Sequence, residues 1–209
     1  MTMPKKAIIY DLDNTLYPVH AIGEKLFGPL FDLILETGKH NEDIEAIKKE
    51  TMRTPFRLVA KEFGLSEELT TQAINLQENL GYDEPIAPFD DYPEIKTIDA
   101  ERFLVTTGFQ KMQRAKITQM GVENDFKEIH VVNPVLTSKK EVFADILKRY
   151  SYKPEEVLVV GDDPNSEIQA AKDLGIDTVL YNRFNWHPLD SATYAISHFK
   201  ELKPIFLKG

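Results

Sequence analysis

Apolar positions along the chain fall into two textures. Ala7-Ile8-Ile9-Tyr10 is an unbroken apolar run that stops at Asp11. A run this short, apolar on both faces, predicts a strand buried in a sheet. From about residue 19 to residue 98 the spacing turns helical. Ile22, Leu26, Leu30 and Ile34 recur at helical intervals, and after the interruption at Pro55 the pattern resumes with Phe56, Val59, Ala60 and Phe63. Ser66 reads as an N-cap followed by Glu67 and Glu68, where the helix dipole favours acids, and Gly81 reads as the stop. Residues 82–93, rich in Pro, Asp and aromatics, read as a linker.

Beyond that point strands and helices alternate. Phe103-Leu104-Val105, Ile129-His130-Val131-Val132, Val157-Leu158-Val159-Val160, residues 176–181 and Tyr194-Ala195-Ile196 are the predicted strands, with a helix ending near Gly121 and another opening at Ser138. Alternation of this kind implies a mainly parallel, doubly wound α/β sheet with helices on both faces. The first strand is cut off from the others by the helical stretch. The expected organisation is therefore a core made of residues 1–18 and 94–209, with a small α-helical cap, residues 19–93, inserted into it.

Candidate chemistry sits at four predicted strand ends, the edge where open α/β sheets bind ligands. Asp11 and Asp13 follow the first strand. Two acids there can hold a divalent cation, and one can attack while the other moves protons. Thr106-Thr107-Gly108 follows the second, offering hydroxyls and backbone amides to an anion. Ser138 and Glu141 form a capping box that places Lys139 and Lys140 in the positive first turn of a helix, a placement that a bound phosphate would relieve. Spacing does not separate the two lysines; we assign Lys139 to catalysis and Lys140 to substrate binding. Gly161-Asp162-Asp163 ends the fourth strand, with glycine allowing a tight exit and the paired acids suited to a cation.

Composition narrows the chemistry. The 209 residues carry no cysteine, which excludes disulfides, thiolate catalysis and Cys-ligated zinc, and is compatible with a cytoplasmic location. The net charge of −9 gives no broad attraction for nucleic acid or anionic membranes, so a phosphorylated ligand needs a local positive centre. No apolar run is long enough to span a bilayer, and no signal peptide is expected. The histidines show no metal-ligand spacing, and no Gly-x-Ser-x-Gly elbow is present.

Taken together, Asp-Leu-Asp-Asn-Thr at residues 11–15, Leu-Val-Thr-Thr-Gly at 104–108, a lysine before the fourth strand and Val-Gly-Asp-Asp at 160–163 resemble the motifs of the haloacid dehalogenase superfamily of phosphohydrolases. The resemblance runs over nearly the whole chain, and the helical stretch falls where one class of that superfamily inserts its cap. It implies a Rossmann-like core and a magnesium-dependent phosphatase acting on a small phosphorylated metabolite, nucleotide or sugar phosphate. In that reading Asp11 is the nucleophile, Asp13 the acid and base, and Thr106 and Lys139 hold the phosphate with Thr107, Gly108 and Lys140. Asp11, Asp13 (through its carbonyl), Asp162 and Asp163 serve the metal. The expected assembly is a monomer or weak homo-oligomer, free of nucleic acid and membrane. Two alternatives stand beside it: a sugar phosphomutase of the same superfamily, and a phospho-acceptor signalling domain without turnover. Asp13 and the helical insert argue against the second.

Overall fold

A computed structural model describes residues 4–133 and 136–208. Its elements in chain order are β1 (Ala7–Tyr10), α1 (His20–Leu26), α2 (Gly28–Glu36), α3 (Ile44–Thr51), α4 (Phe56–Glu62), α5 (Glu67–Asn79), β2 (Glu101–Thr107), α6 (Gln110–Met120), β3 (Glu128–Val132), α7 (Lys139–Tyr150), β4 (Val157–Gly161), α8 (Glu167–Lys172), β5 (Asp177–Tyr181), β6 (Tyr194–Ile196) and α9 (Leu202–Lys208). The strands form one sheet in the order β3-β2-β1-β4-β5-β6, and each neighbouring pair is parallel. This is the doubly wound topology that the alternating pattern predicts, with the order reversing around β1.

Apolar runs explain which strands are central. Every residue of β1 and of β4 is buried, as expected where helices cover both faces. One face packs Ile9, Phe103, Val105 and Val159 against Phe143, Ile146 and Ala171 from α7 and α8. The other face opens into a larger cluster in which Ile8, Tyr10, Leu104 and Val160 are continuous with Leu30, Phe31, Ile34, Ile47 and Val59. The helical stretch thus shares a hydrophobic core with the sheet.

Several local expectations need adjustment. The helical spacing from Ile22 to Ile34 belongs to two helices, broken at Phe27 before Gly28-Pro29. Ser66 does cap α5, accepting from the Leu69 amide at 3.2 Å. That helix ends at Asn79 because Leu80 turns extended (φ −63°, ψ 143°), and Gly81 makes no left-handed cap. By contrast Gly121, at φ 66°, does close α6 in that way. The aromatic-rich stretch at 82–93 is docked against the core: Ile86 and Phe89 are buried, and their amides bond to the Gln119 and Leu16 carbonyls. Asp91 is buried as well, accepting from the Tyr181 hydroxyl and the Phe199 amide.

Candidate active site

Strand register assembles the site. Tyr10 lies level with Leu104 on one side and Val160 on the other. Thr106 and Asp162 therefore emerge at the same carboxyl-terminal edge as Asp11, and the Asp11 amide still bonds to the Val160 carbonyl at 2.9 Å. The loop then turns sharply through Asn14, which adopts a left-handed φ of 56° that asparagine tolerates. The Asn14 side chain accepts from the Val19 amide at 3.1 Å and donates to the Met52 carbonyl at 3.2 Å, tying the loop to the end of α3.

The two aspartates of this loop occupy different surroundings. Asp11 is bound by Lys139, whose Nζ lies 2.6 Å from its Oδ1 and 2.7 Å from Glu167 Oε2. Asp11, Asp162 and Glu167 bring carboxylate oxygens within 4.8 Å of one another. Three carboxylates here face one ammonium, in a pocket where unbalanced charge is costly. Burial, followed by the charges of Glu167 and Asp13, pushes Asp11 up to about 7 despite Lys139. Asp162 is raised well above the usual carboxylate range by burial and then by the charges of Glu167 and Asp11. Lys139 shows the mirror effect: burial opposes its charge, yet Asp11 and Glu167 hold its pKa above the ordinary lysine value.

Asp13 turns the other way. Its carboxylate accepts from Gln113 Nε2 at 2.9 Å, from Lys116 Nζ at 2.9 and 3.1 Å, and from the Tyr17 hydroxyl. Burial would raise its pKa, but Lys116, Tyr17 and Gln113 together outweigh that and hold it below the usual value. Gln113 also donates to Thr106 Oγ1 at 2.6 Å, which occupies that oxygen's acceptor side and leaves its hydrogen free for another partner.

Asp11, Asp13, Thr106, Thr107, Gly108, Lys139, Asp162 and Asp163 all line one cavity of about 470 Å³. That volume lies within the usual range for small-molecule sites. The helical stretch supplies its far wall with Phe27, Met52, Arg53, Phe56, Arg57, Leu58, Ile74 and Gln77.

Two of the sequence-predicted residues lie apart from this cluster. Lys140 is exposed and pairs with Asp173 at 3.1 Å; the geometry of the first helical turn sends Lys139 inward and Lys140 outward. The Asp163 carboxylate stands outside the acidic cluster and accepts from the Asn165 amide at 2.8 Å, while Glu167 takes the place beside Asp11 and Asp162. The Asp13 side chain faces Lys116, in keeping with the expectation that its carbonyl, not its carboxylate, would serve a metal. The reason for Gly161 also differs from a tight exit. A Cβ at that position would lie 2.1 Å from Glu167 Oε1, so the missing side chain makes room for Glu167. Gln113 and Lys116 went unrecognised in the sequence. Their signal is nonetheless present: with Ile117 and Met120 they occupy the buried stripe of α6, and polar residues in an apolar stripe need a polar partner.

Comparison with known proteins matches residues 8–181 to the haloacid dehalogenase-like hydrolase family. A glyceraldehyde 3-phosphate phosphatase of Methanopyrus kandleri is 24% identical, over 88% of this chain and 87% of its own length. Among solved structures, the HAD-hydrolase YfnB of Bacillus subtilis, described as bound to magnesium, superposes with a TM-score of 0.66 at 20% identity, covering 98% of this chain and 99% of its own. A dehalogenase captured with an intermediate gives 0.63 at 14% identity over the full length of both chains. These structural likenesses establish the shared fold.

Proposed function

Because this chain belongs to the haloacid dehalogenase-like hydrolase family, we propose that its pocket hydrolyses a small phosphate monoester through a phosphorylated Asp11. The observation that carries the reading is the division between the two carboxylates, Asp11 inside an acidic cluster with Lys139 and Asp13 beside Lys116. A reaction needing one nucleophile and one proton carrier uses two such groups. The phosphatase relative supports phosphate esters as the substrate class. Displacing halide from an alkyl carbon, by contrast, has no need of a proton donor such as Asp13.

The acidic cluster fits a hard divalent cation, and magnesium suits its all-oxygen donors. Asp11 and Asp162 would hold it, with Glu167 adjacent. Bound there, the cation would offset the surplus negative charge, keep Asp11 ionised and lower the repulsion of an incoming phosphate.

Asp11 attacks phosphorus while Asp13, which takes up a proton as the anionic ester enters beside it, gives that proton to the departing ester oxygen. Asp13 then takes a proton from the water that attacks the aspartyl phosphate, and Asp11 is released. The free hydrogen of the Thr106 hydroxyl and the Lys139 ammonium bind phosphate oxygens, in the arrangement that favours charge developing in the transition state. The helical stretch acts as the cap: Phe27, Phe56 and Ile74 exclude water, and Arg53 and Arg57 face the leaving group.

The test is phosphate release from a panel of phosphate monoesters, with and without magnesium, for the native chain and for Asp11→Ala. Repeated, magnesium-dependent release that Asp11→Ala abolishes is the expected result. One phosphate incorporated per chain without turnover would move the protein to the phospho-acceptor class, and isomerised sugar phosphate would make it a mutase.

A further inference from the structure

We propose that Lys116 and Gln113 are positioning residues that hold Asp13 for both of its proton transfers, a role that rests on the phosphatase reading above. The ammonium of Lys116 is buried, with the side chain 3% exposed, and among the described residues its ion pair is with Asp13 alone. An unpaired lysine in such a place would strongly destabilise the fold. Gln113 lies three positions earlier on α6, on the same buried face. Its amide nitrogen reaches Asp13 Oδ2 and Thr106 Oγ1, so one side chain links the proton carrier to the predicted phosphate-binding hydroxyl. Gly108 leaves the room this requires, since a Cβ there would lie 3.0 Å from Gln113 Cγ. With Tyr17 on Oδ1, the carboxylate is held on its core side and opens only toward the cavity.

This arrangement assists a specific chemical event. As the Asp11 oxygen bonds to phosphorus and the ester P–O bond breaks, Asp13 passes its proton to the leaving oxygen and becomes a carboxylate. Lys116 and Gln113 keep that carboxylate aimed into the cavity, so the group that gave the proton stands ready to take the next one. In the second step the carboxylate accepts a proton from water as the water oxygen bonds to phosphorus and the Asp11–phosphorus bond breaks. Both steps close without any further reactant. Help from Lys116 matters most when the leaving oxygen needs a proton. An alkoxide does; a 4-nitrophenolate leaves without one.

The experiment compares kcat/KM, which reports events through the first P–O cleavage, on an alkyl phosphate and on 4-nitrophenyl phosphate. Lys116→Met should lower the alkyl value by about 100-fold and the nitrophenyl value by less than about 5-fold, with KM nearly unchanged. Lys116→Arg should recover much of the alkyl activity. Gln113→Leu and Tyr17→Phe should shift the same ratio in the same direction by smaller factors, and they carry the test if Lys116→Met does not fold. Equal losses on both esters, or a raised KM at constant kcat, would overturn the proposal in favour of structural support or direct phosphate binding. Native turnover of 4-nitrophenyl phosphate is the separate check on the phosphatase reading; an unaltered ester ratio beside that turnover sinks this role and leaves the phosphatase standing.

Discussion

Gly161→Ala probes whether the acidic cluster depends on a close approach between β4 and α8. The added Cβ would sit 2.1 Å from Glu167 Oε1, 2.3 Å from its Cγ and 2.4 Å from its Cδ. Favourable carbon contacts begin near 3.5 Å, so the overlap exceeds about 1 Å and involves the middle of the side chain as well as its tip. Glu167 must swing away, giving up the 2.7 Å bond from Lys139 and the 2.8 Å bond from the Asp163 amide. Overpacking of this kind costs about 1–3 kcal/mol, and losing a buried charge partner outright costs about 3–5 kcal/mol. Lys139 keeps Asp11, so only part of the second penalty applies and a total of about 2–4 kcal/mol is expected. For a chain of this size that lowers Tm by roughly 5–15 °C. The assay is thermal unfolding of Gly161→Ala, Glu167→Ala and the double variant. With Glu167 truncated the new methyl has room, so Gly161→Ala should then cost less than about 1 kcal/mol, a coupling that the cycle measures directly. A Tm within about 2 °C of the native protein, or strictly additive losses, would refute the packing argument.

Asp13→Asn should still transfer phosphate to Asp11 from a good leaving group but fail to release it, so that acid-quenched protein retains label; full turnover would remove Asp13 from the mechanism. Lys140→Ala should leave activity unchanged and alter stability by less than about 0.5 kcal/mol, whereas Lys139→Ala should abolish turnover in the same phosphate-release assay. Magnesium at about 100 times its dissociation constant should stabilise the protein by roughly 2.7 kcal/mol in thermal unfolding, and Asp162→Asn should lose most of that gain. Glu128 is held well below the ordinary carboxylate range by hydrogen bonds from Arg149, with Tyr150 and His130 adding to the effect. A lowered folded-state value means stability that is complete above the unfolded value, near 4.5, and is lost as pH falls. The native advantage over Glu128→Gln, about 1 kcal/mol or less for a partly exposed pair, should therefore shrink below about pH 4.5 in denaturant titrations.

Much of this fold was legible because its signals are local. The apolar runs that predict six strands are the strands observed, and the Ser138–Glu141 box opens α7, with the Ser138 amide 2.8 Å from the Glu141 carboxylate. The convergence of the candidate residues on strand ends was legible for the same reason: a motif following a buried strand in a parallel sheet emerges at one edge. What escaped the sequence is decided by rotation and reach. Lys139 and Lys140 differ only in the angle at which a helix presents adjacent residues. Glu167 stands beside Asp11 and Asp162 because its carboxylate extends back toward β4 over a missing side chain, a contact between residues six apart that no hydrophobic pattern encodes. Lys116 reaches Asp13 across 103 positions, and only its place in an apolar stripe betrays it.

The loop after β1 carries two carboxylates one residue apart, and the fold gives each its own buried lysine. Lys139 comes from α7, packed on one face of the sheet, and Lys116 from α6, packed on the other. A single shared cation would leave the aspartates electrostatically alike and competing for the same proton. Separate cations let one remain tied to the acidic cluster while the other stays beside a group that can exchange protons with the cavity. In a chain of net charge −9, these two buried ammonium groups are outnumbered by the carboxylates beside them, so a phosphate would also need the cation that the acidic cluster could hold. Attraction for an anionic substrate would then be confined to the bottom of one cavity, between Asp11 and Asp13.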